Sequence, residues 1–261
     1  MSSAPPRLLV TRPIEQGQRQ CEDLRGLGFE AEVVPLIHIK PAVDVHSVQS
    51  AWSTLTGWDW VFFVSPNAVR QFFAARPVEA PRAWPPQVKV GALGPGTSLA
   101  LEEAGVPAEQ VTAPPPRLPQ VDSEALWQQL ASQVWTQRRV LIVRGDGGRA
   151  WLAGQLVAHG AQVKFLQAYV RAVPAWTALQ RHTVQAALDH PKRHLWLFSS
   201  SQSIDHLEHL CPQGEPIWPC AQALASHPRI GERAHAAGFG RVLSAPPDLE
   251  GLAACIQSAA W

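Results

Sequence analysis

A chain of 261 residues exceeds one ordinary domain and is long enough for two, each burying its own core. Hydrophobic residues at 46% and charged residues at 16% exclude an extended, disordered chain. A formal net charge of +1 excludes the broad basic field that serves nucleic acid or an acidic membrane, so an anionic ligand must be met by local groups.

The first strand-like residues, Leu8-Leu9-Val10, follow a short polar start that leaves no room for a secretory apolar segment, and no apolar run reaches membrane-spanning length. Cys21, Cys211, Cys220 and Cys255 form no CxxC pair, which argues against a zinc ribbon or a disulfide framework and fits a reducing cytoplasm.

In chain order, a strand over 7–11 ends at Arg12, and a helix over 16–27 follows with Pro13 in its first turn. Cys21, Leu24 and Leu27 share one face of that helix, and Gly28 is placed to cap its end. An apolar strand from Trp60 runs into Ser65-Pro66-Asn67 and a helix; another from Val88 runs into the Gly94-Pro95-Gly96 turn and a helix. A strand over 139–143 leads into Arg144-Gly145-Asp146-Gly147-Gly148-Arg149, and the strand over 195–198 into Ser199-Ser200. Strands alternating with helices predict an α/β protein with parallel sheets. Two β-rich stretches, 33–39 and 165–173, fall outside this rhythm and read as strands of a hinge.

The order repeats. Residues 7–29 resemble 139–160, the strand from Trp60 resembles that from Leu195, 88–105 resembles 218–238, and 113–126 echoes 245–252. A unit of half the chain is too long for a solenoid repeat and predicts two related domains, with the cleft between them as the natural site.

The phosphate-loop, dinucleotide, HExxH and GxSxG signatures are absent. The Arg144–Arg149 turn offers small residues that let an anion approach the backbone and two guanidiniums to charge it; it reads equally as a tight turn with Asp146 paired to Arg149. Arg12 ends the matching strand. Ser65, Asn67, Ser199 and Ser200 stand at strand C-terminal ends, where α/β sheets bind ligands, and could equally be helix caps. Tyr169, the only tyrosine, lies in the second hinge stretch, where its phenol could face the cleft and donate a proton or could simply pack. His206 and His209 share a helix face without a third ligand, so no metal is expected. The tryptophans are expected to fill cores and interfaces.

The ordered set Val10-Thr11-Arg12-Pro13, Ser65-Pro66-Asn67-Ala68-Val69, Val90-Gly91, Gly94-Pro95-Gly96-Thr97, Asp122-Ser123-Glu124-Ala125-Leu126, Arg144-Gly145 with Gly148-Arg149, and Tyr169 resembles the uroporphyrinogen-III synthase family over nearly the whole chain. The resemblance implies two similar α/β domains joined by a two-stranded antiparallel β ladder and facing a cleft. Residues 1–35 would join 174–261 in one discontinuous domain, 43–164 would form the other, and 36–42 and 165–173 would be the hinge strands. It implies closure of the linear tetrapyrrole hydroxymethylbilane, with loss of water and inversion of the terminal ring through a spiro intermediate, and without any cofactor. Arg12, Ser65, Asn67, Gly94, Gly96, Arg144, Gly145, Arg149, Ser199 and Ser200 would hold substrate, and Tyr169 would assist departure of the hydroxyl. Where the family has a Thr-Ala pair ahead of a helix this chain has Ile230-Gly231-Glu232-Arg233, leaving Ser226 or the backbone to make that contact. The expected protein is a cytoplasmic monomer that engages neither membrane nor nucleic acid, with a transient contact to the enzyme supplying hydroxymethylbilane left open. A two-domain anion-binding or sensor protein without catalysis is the alternative.

Overall fold

A computed structural model describes residues 5–115, 123–147, 150–211 and 218–259. Its strands are β1 (Arg7–Val10), β2 (Ala31–Val33), β3 (His38–Pro41), β4 (Trp60–Phe63), β5 (Lys89–Ala92), β6 (Val111–Thr112), β7 (Arg139–Gly145), β8 (Gln162–Ala172), β9 (His194–Phe198), β10 (Gln222–Ala225) and β11 (Arg241–Ser244). The α-helices are α1 (Ile14–Gly26), α2 (Val45–Ser53), α3 (Pro66–Ala74), α4 (Pro95–Glu103), α5 (Ser123–Leu130), α6 (Trp151–Ala158), α7 (Ala178–Asp189), α8 (Ser201–Leu210), α9 (Pro228–Ala236) and α10 (Leu249–Ser258).

The chain divides into two compact units. One takes the residues up to His38 and those from Ala172 onward, and the other takes Ile39–Arg171. The first holds a five-stranded sheet in the order β11-β10-β9-β1-β2, with every pairing parallel. The second holds a six-stranded sheet, β3-β8-β7-β4-β5-β6, parallel through β8, β7, β4, β5 and β6. Reading both sheets from the strand nearest each unit's last parallel edge, β11, β10, β9, β1 and β2 correspond to β6, β5, β4, β7 and β8. The repeat in the sequence is therefore a repeat of topology.

Strand alternation builds a core on each face of each sheet. Leu8 and Val10 point toward α1 and α10, where they meet Cys21, Leu24, Leu252 and Ile256. Leu9 points the other way and joins Trp196, Phe198, Ala223 and Ala225 beneath Val184, Ile204, Leu207 and Ile230. In the second unit Val61, Phe63, Val90, Leu141 and Val143 pack on Trp52, Phe72 and Leu101. Trp60, Phe62, Val140 and Ile142 pack on Leu126, Leu130, Leu152 and Leu156. Each such side chain fully removed from water contributes about 1.5–3 kcal/mol, which is why a one-residue register slip is not tolerated. Trp52, Trp84 and Trp135 serve these cores with their N–H groups satisfied, donating to the carbonyls of Phe72, Val88 and Leu130, whereas the Trp58 N–H is buried without a partner among the described residues.

The two stretches expected to form a hinge differ from each other. Residues 33–39 are not one strand, because β2 ends at Val33 and β3 begins only at His38. β8 is continuous over 11 residues, neighbours β3, and is bonded along its other side to β7 from Arg139↔Gln162 to Gly145↔Tyr169, so the pair forms the edge of the six-stranded sheet. Ile230–Arg233 also needs correction: these residues lie inside α9, which begins at Pro228, so the loop ahead of the helix is Ser226-His227. Proline at the first helical position and the His227 Nδ1 accepting from Arg229 N–H at 3.2 Å start the helix at Pro228, ahead of Ile230.

Candidate functional site

In the first unit the chain leaves β1 through Thr11, whose buried hydroxyl and N–H both donate to the Leu197 carbonyl, at 2.7 Å and 3.4 Å. That anchor aims Arg12 over the C-terminal ends of β9 and β10. Arg12 lines a small recess, open to solvent, together with Gln20, Ser199, Ser226 and Pro247. The guanidinium is half-buried, and burial pushes its pKa down from the ordinary arginine value. Among the described residues it has neither an ion pair nor a hydrogen bond. An arginine stays charged even so, and a partly desolvated cation without an anion is held at a cost that an incoming carboxylate would relieve.

Ser199 and Ser226 are the hydroxyls of that recess, and Ser226 N–H donates to Phe198 O at 3.2 Å, which holds its backbone there. Ser200 stands one residue on, as the N-cap of α8. Its side chain makes no capping bond, and it does not line the recess.

In the second unit the chemistry gathers where β4, β7 and β8 end. Ser65 is the N-cap of α3 and its Oγ accepts from Ala68 N–H at 3.1 Å, so the capping role is real. The same Oγ lies 3.1 Å from the phenol oxygen of Tyr169. Tyr169 is 0% exposed, so its phenol does not itself face solvent, and any proton it gives must pass through a neighbour. Its oxygen also accepts from Arg171 Nη2 at 3.3 Å, with the Arg171 guanidinium 5.7 Å from the ring centroid. Gly145 pairs with Tyr169 across a bulge after Arg144, and the lack of a side chain there leaves room for the ring.

Arg144 turns back on its own turn: Nε donates to Gly147 O at 3.1 Å and the guanidinium lies 5.0 Å above the Phe165 ring. Asp146 accepts from the Arg171 backbone N–H at 3.1 Å. Gly148, Arg149 and Asp122 lie outside the described residues. Asn67 is half-buried in the first turn of α3. Gly94 is the N-cap of α4 and accepts from Thr97 and Ser98 N–H, and Gly96, in the first turn, faces Pro66 of α3, where a β-carbon would already lie 3.4 Å from Pro66 Cγ, in ordinary van der Waals contact. The structure thus brings Arg12 to Ser199, and Ser65 to Tyr169 and Gly145, while Ser200 and Arg144 stand apart from those contacts.

Arg171 was not among the residues singled out in the sequence. Its signal was present, because residues two apart on a strand share a face and Arg171 is two beyond Tyr169. His206 is occupied with the Leu36 carbonyl at 2.6 Å. Among the described residues no three His, Cys, Asp or Glu side chains are placed to hold a metal ion, and no helix is long and apolar enough to cross a membrane.

Fold and sites together define a duplicated, parallel-sheet α/β protein whose polar side chains collect at strand C-terminal ends. Residues 19–254 match the family described as uroporphyrinogen-III synthase HemD, and the chain belongs to that family. It is 36% identical over 164 residues to the uroporphyrinogen-III synthase of Salmonella typhimurium; the match spans 63% of this chain and 64% of that relative, less than two thirds of its length. The uroporphyrinogen-III synthetase structure from Helicobacter pylori is similar in fold, with a TM-score of 0.60 at 15% identity, covering 97% of this chain and 99% of that one. A mutant uroporphyrinogen III synthase from Thermus thermophilus gives 0.55 at 17% identity, covering 97% and 100%.

Proposed function

We propose that this chain closes hydroxymethylbilane to uroporphyrinogen III, with loss of water and inversion of the terminal pyrrole ring. Arg12 is the observation that carries the reading: in a member of this family, a half-buried cation without a partner among the described residues stands beside the Ser199 and Ser226 hydroxyls, which suits an acetate or propionate side chain of the substrate. A charge-assisted contact of that kind contributes about 1.5–3 kcal/mol.

In the second unit Arg144 and Arg149 supply further charge, Gly94, Gly96 and Gly145 allow close approach of the backbone, and Ser65 and Asn67 present polar groups at the start of α3. Ser200 offers an unspent hydroxyl in the first unit. Tyr169 acts from behind Ser65 when the substrate hydroxyl leaves. What the protein contributes is positioning: the folded-up substrate closes with inversion faster than free substrate closes without it. The enzyme works in the cytoplasm as a monomer, in transient contact with the enzyme that releases hydroxymethylbilane.

The test is product identity. Hydroxymethylbilane incubated with the protein, oxidised and separated should yield the type III porphyrin in excess, whereas a type I product equal to the protein-free control would refute the proposal.

A further inference from the structure

The hydrogen bonds around Tyr169 have a direction. Arg171 can only donate, so the Tyr169 oxygen accepts from its Nη2. The phenol carries one proton and is fully buried, and among the described residues the only acceptor at its oxygen is Ser65 Oγ, 3.1 Å away. Leaving that proton unpaired in the core would cost more than donating it, so Tyr169 donates to Ser65. Ser65 Oγ already accepts from Ala68 N–H at 3.1 Å. With both lone pairs used, the serine is left with its own O–H, and among the described residues nothing receives it.

We propose that Arg171 is a positioning residue which, acting through Tyr169, makes the Ser65 hydroxyl an obligate hydrogen-bond donor toward an oxygen of the substrate. While Arg171 fills the other side of the phenol oxygen, the phenol proton can go only to Ser65. Without Arg171 that proton can turn to the part-buried side it vacates, the phenol oxygen then accepts from Ser65, the serine proton turns inward, and its outward donor is lost. The proposal rests on the synthase reading for the identity of the substrate, but the direction of the relay is a property of the free protein.

Because Tyr169 is the only tyrosine, isotope labelling of tyrosine gives a single phenol signal. The infrared C–O stretch of that phenol distinguishes an oxygen that both donates and accepts from one that only accepts. In wild-type protein without substrate the band should report both, and it should move in Ser65→Ala and in Arg171→Met. A wild-type phenol that accepts without donating overturns the relay whatever the variants do. In turnover, Ser65→Ala and Arg171→Met should each raise KM roughly 3- to 10-fold, the range for one hydrogen bond, and the double variant should be no worse than Ser65→Ala alone. Arg171→Lys, which keeps a cationic donor, should recover most of the loss. Additive effects in the double variant, or an unchanged KM in Arg171→Met, would show Arg171 to be structural only. Should Arg171→Met fail to fold, the infrared band and the Arg171→Gln cycle decide the same question. A wild-type protein that makes no type III isomer sinks the synthase reading alone, since the infrared measurement needs no substrate.

Discussion

The Gly145 α-carbon abuts the phenol end of the Tyr169 ring: a β-carbon built there would lie 2.6 Å from Cζ and 2.7 Å from Cε2. Real β-carbons do not come so close, and the ring belongs to a packed core that has little room to give. Gly145→Ala should therefore push Tyr169 off Ser65 and lower stability by about 1–3 kcal/mol, the usual cost of overpacking. Denaturant unfolding that leaves the midpoint where it was would show that the ring can move freely, and the relay with it.

Tyr169→Phe keeps the ring against Gly145 and removes only the hydroxyl shared by Ser65 and Arg171. We expect a loss of turnover of up to roughly 10²-fold, the lower end for help with a proton, while unfolding free energy changes by about 1 kcal/mol. Slower capture lets more substrate escape to close without inversion, so the type I fraction should rise as the rate falls. Wild-type turnover and isomer ratio would remove Tyr169 from the mechanism.

Arg12→Gln takes a half-buried cation, without a partner among the described residues, out of its recess. Product affinity should weaken by about 1.5–3 kcal/mol, and thermal stability should hold or rise because a desolvated charge is gone. Arg144→Ala, in contrast, also strips a guanidinium from the Phe165 ring and the Gly147 carbonyl, so part of its effect should appear as lost stability. Calorimetric titration with product and a melting curve on each variant separate the two. Equal affinity in Arg12→Gln and wild type would contradict the assignment of that recess.

Asp59 ties the start of β7 to the end of the loop before β4: Oδ2 accepts from Arg139 N–H at 2.8 Å and Oδ1 from Arg138 Nη1 at 2.6 Å. Burial alone would raise its pKa, but these bonds and the two arginine charges outweigh it and hold the carboxyl below its ordinary value. A carboxyl with a lowered folded pKa stabilises the fold above its unfolded pKa of about 3.9, and the contribution is lost as pH falls through the folded value. Stability of Asp59→Asn should accordingly fall less than wild type below about pH 4. Parallel acid-unfolding curves would mean that the carboxylate contributes nothing.

The cysteines should separate by reactivity. Burial pushes the Cys21 and Cys211 thiols up to about 11, whereas Cys220 is exposed. At pH 8 the thiolate is the attacking form, so Cys220 should be alkylated first and Cys21 only on unfolding. Mass mapping of the labelled sites over time checks this, and early labelling of Cys21 would contradict it.

Local period made much of the molecule legible in advance. Leu8, Leu9 and Val10 alternate between two cores as a buried parallel strand must, Cys21 and Leu24 share the buried face of α1, and Gly28 takes the left-handed conformation just beyond that helix. The duplicated order of strands, the strand ends that carry Arg12, Ser65 and Ser199, and the family itself could all be read from residue order, because each is carried by short local motifs and by the order in which they follow one another. Ile230–Arg233 went the other way: the residues carry no loop signal of their own, and the helix start was set by His227 and Pro228.

What the linear order could not decide was depth and partnership. Tyr169 was legible as a strand residue, but whether its phenol met solvent or the core depended on β7 on one side of β8 and α3 above it, elements at sequence distances of 24 and 104 residues in the pairs Gly145–Tyr169 and Ser65–Tyr169. Arg171 acquires its role only once that phenol is buried, and Arg12, held by the Thr11–Leu197 anchor, is left without an ion pair or hydrogen bond among the described residues. The sequence by itself determined which segments become strands and helices and in which order they repeat, through short-range periodicity and turn chemistry. Tertiary structure alone decided which polar groups are left unpaired, since pairing is a matter of which distant atoms come within 3 Å.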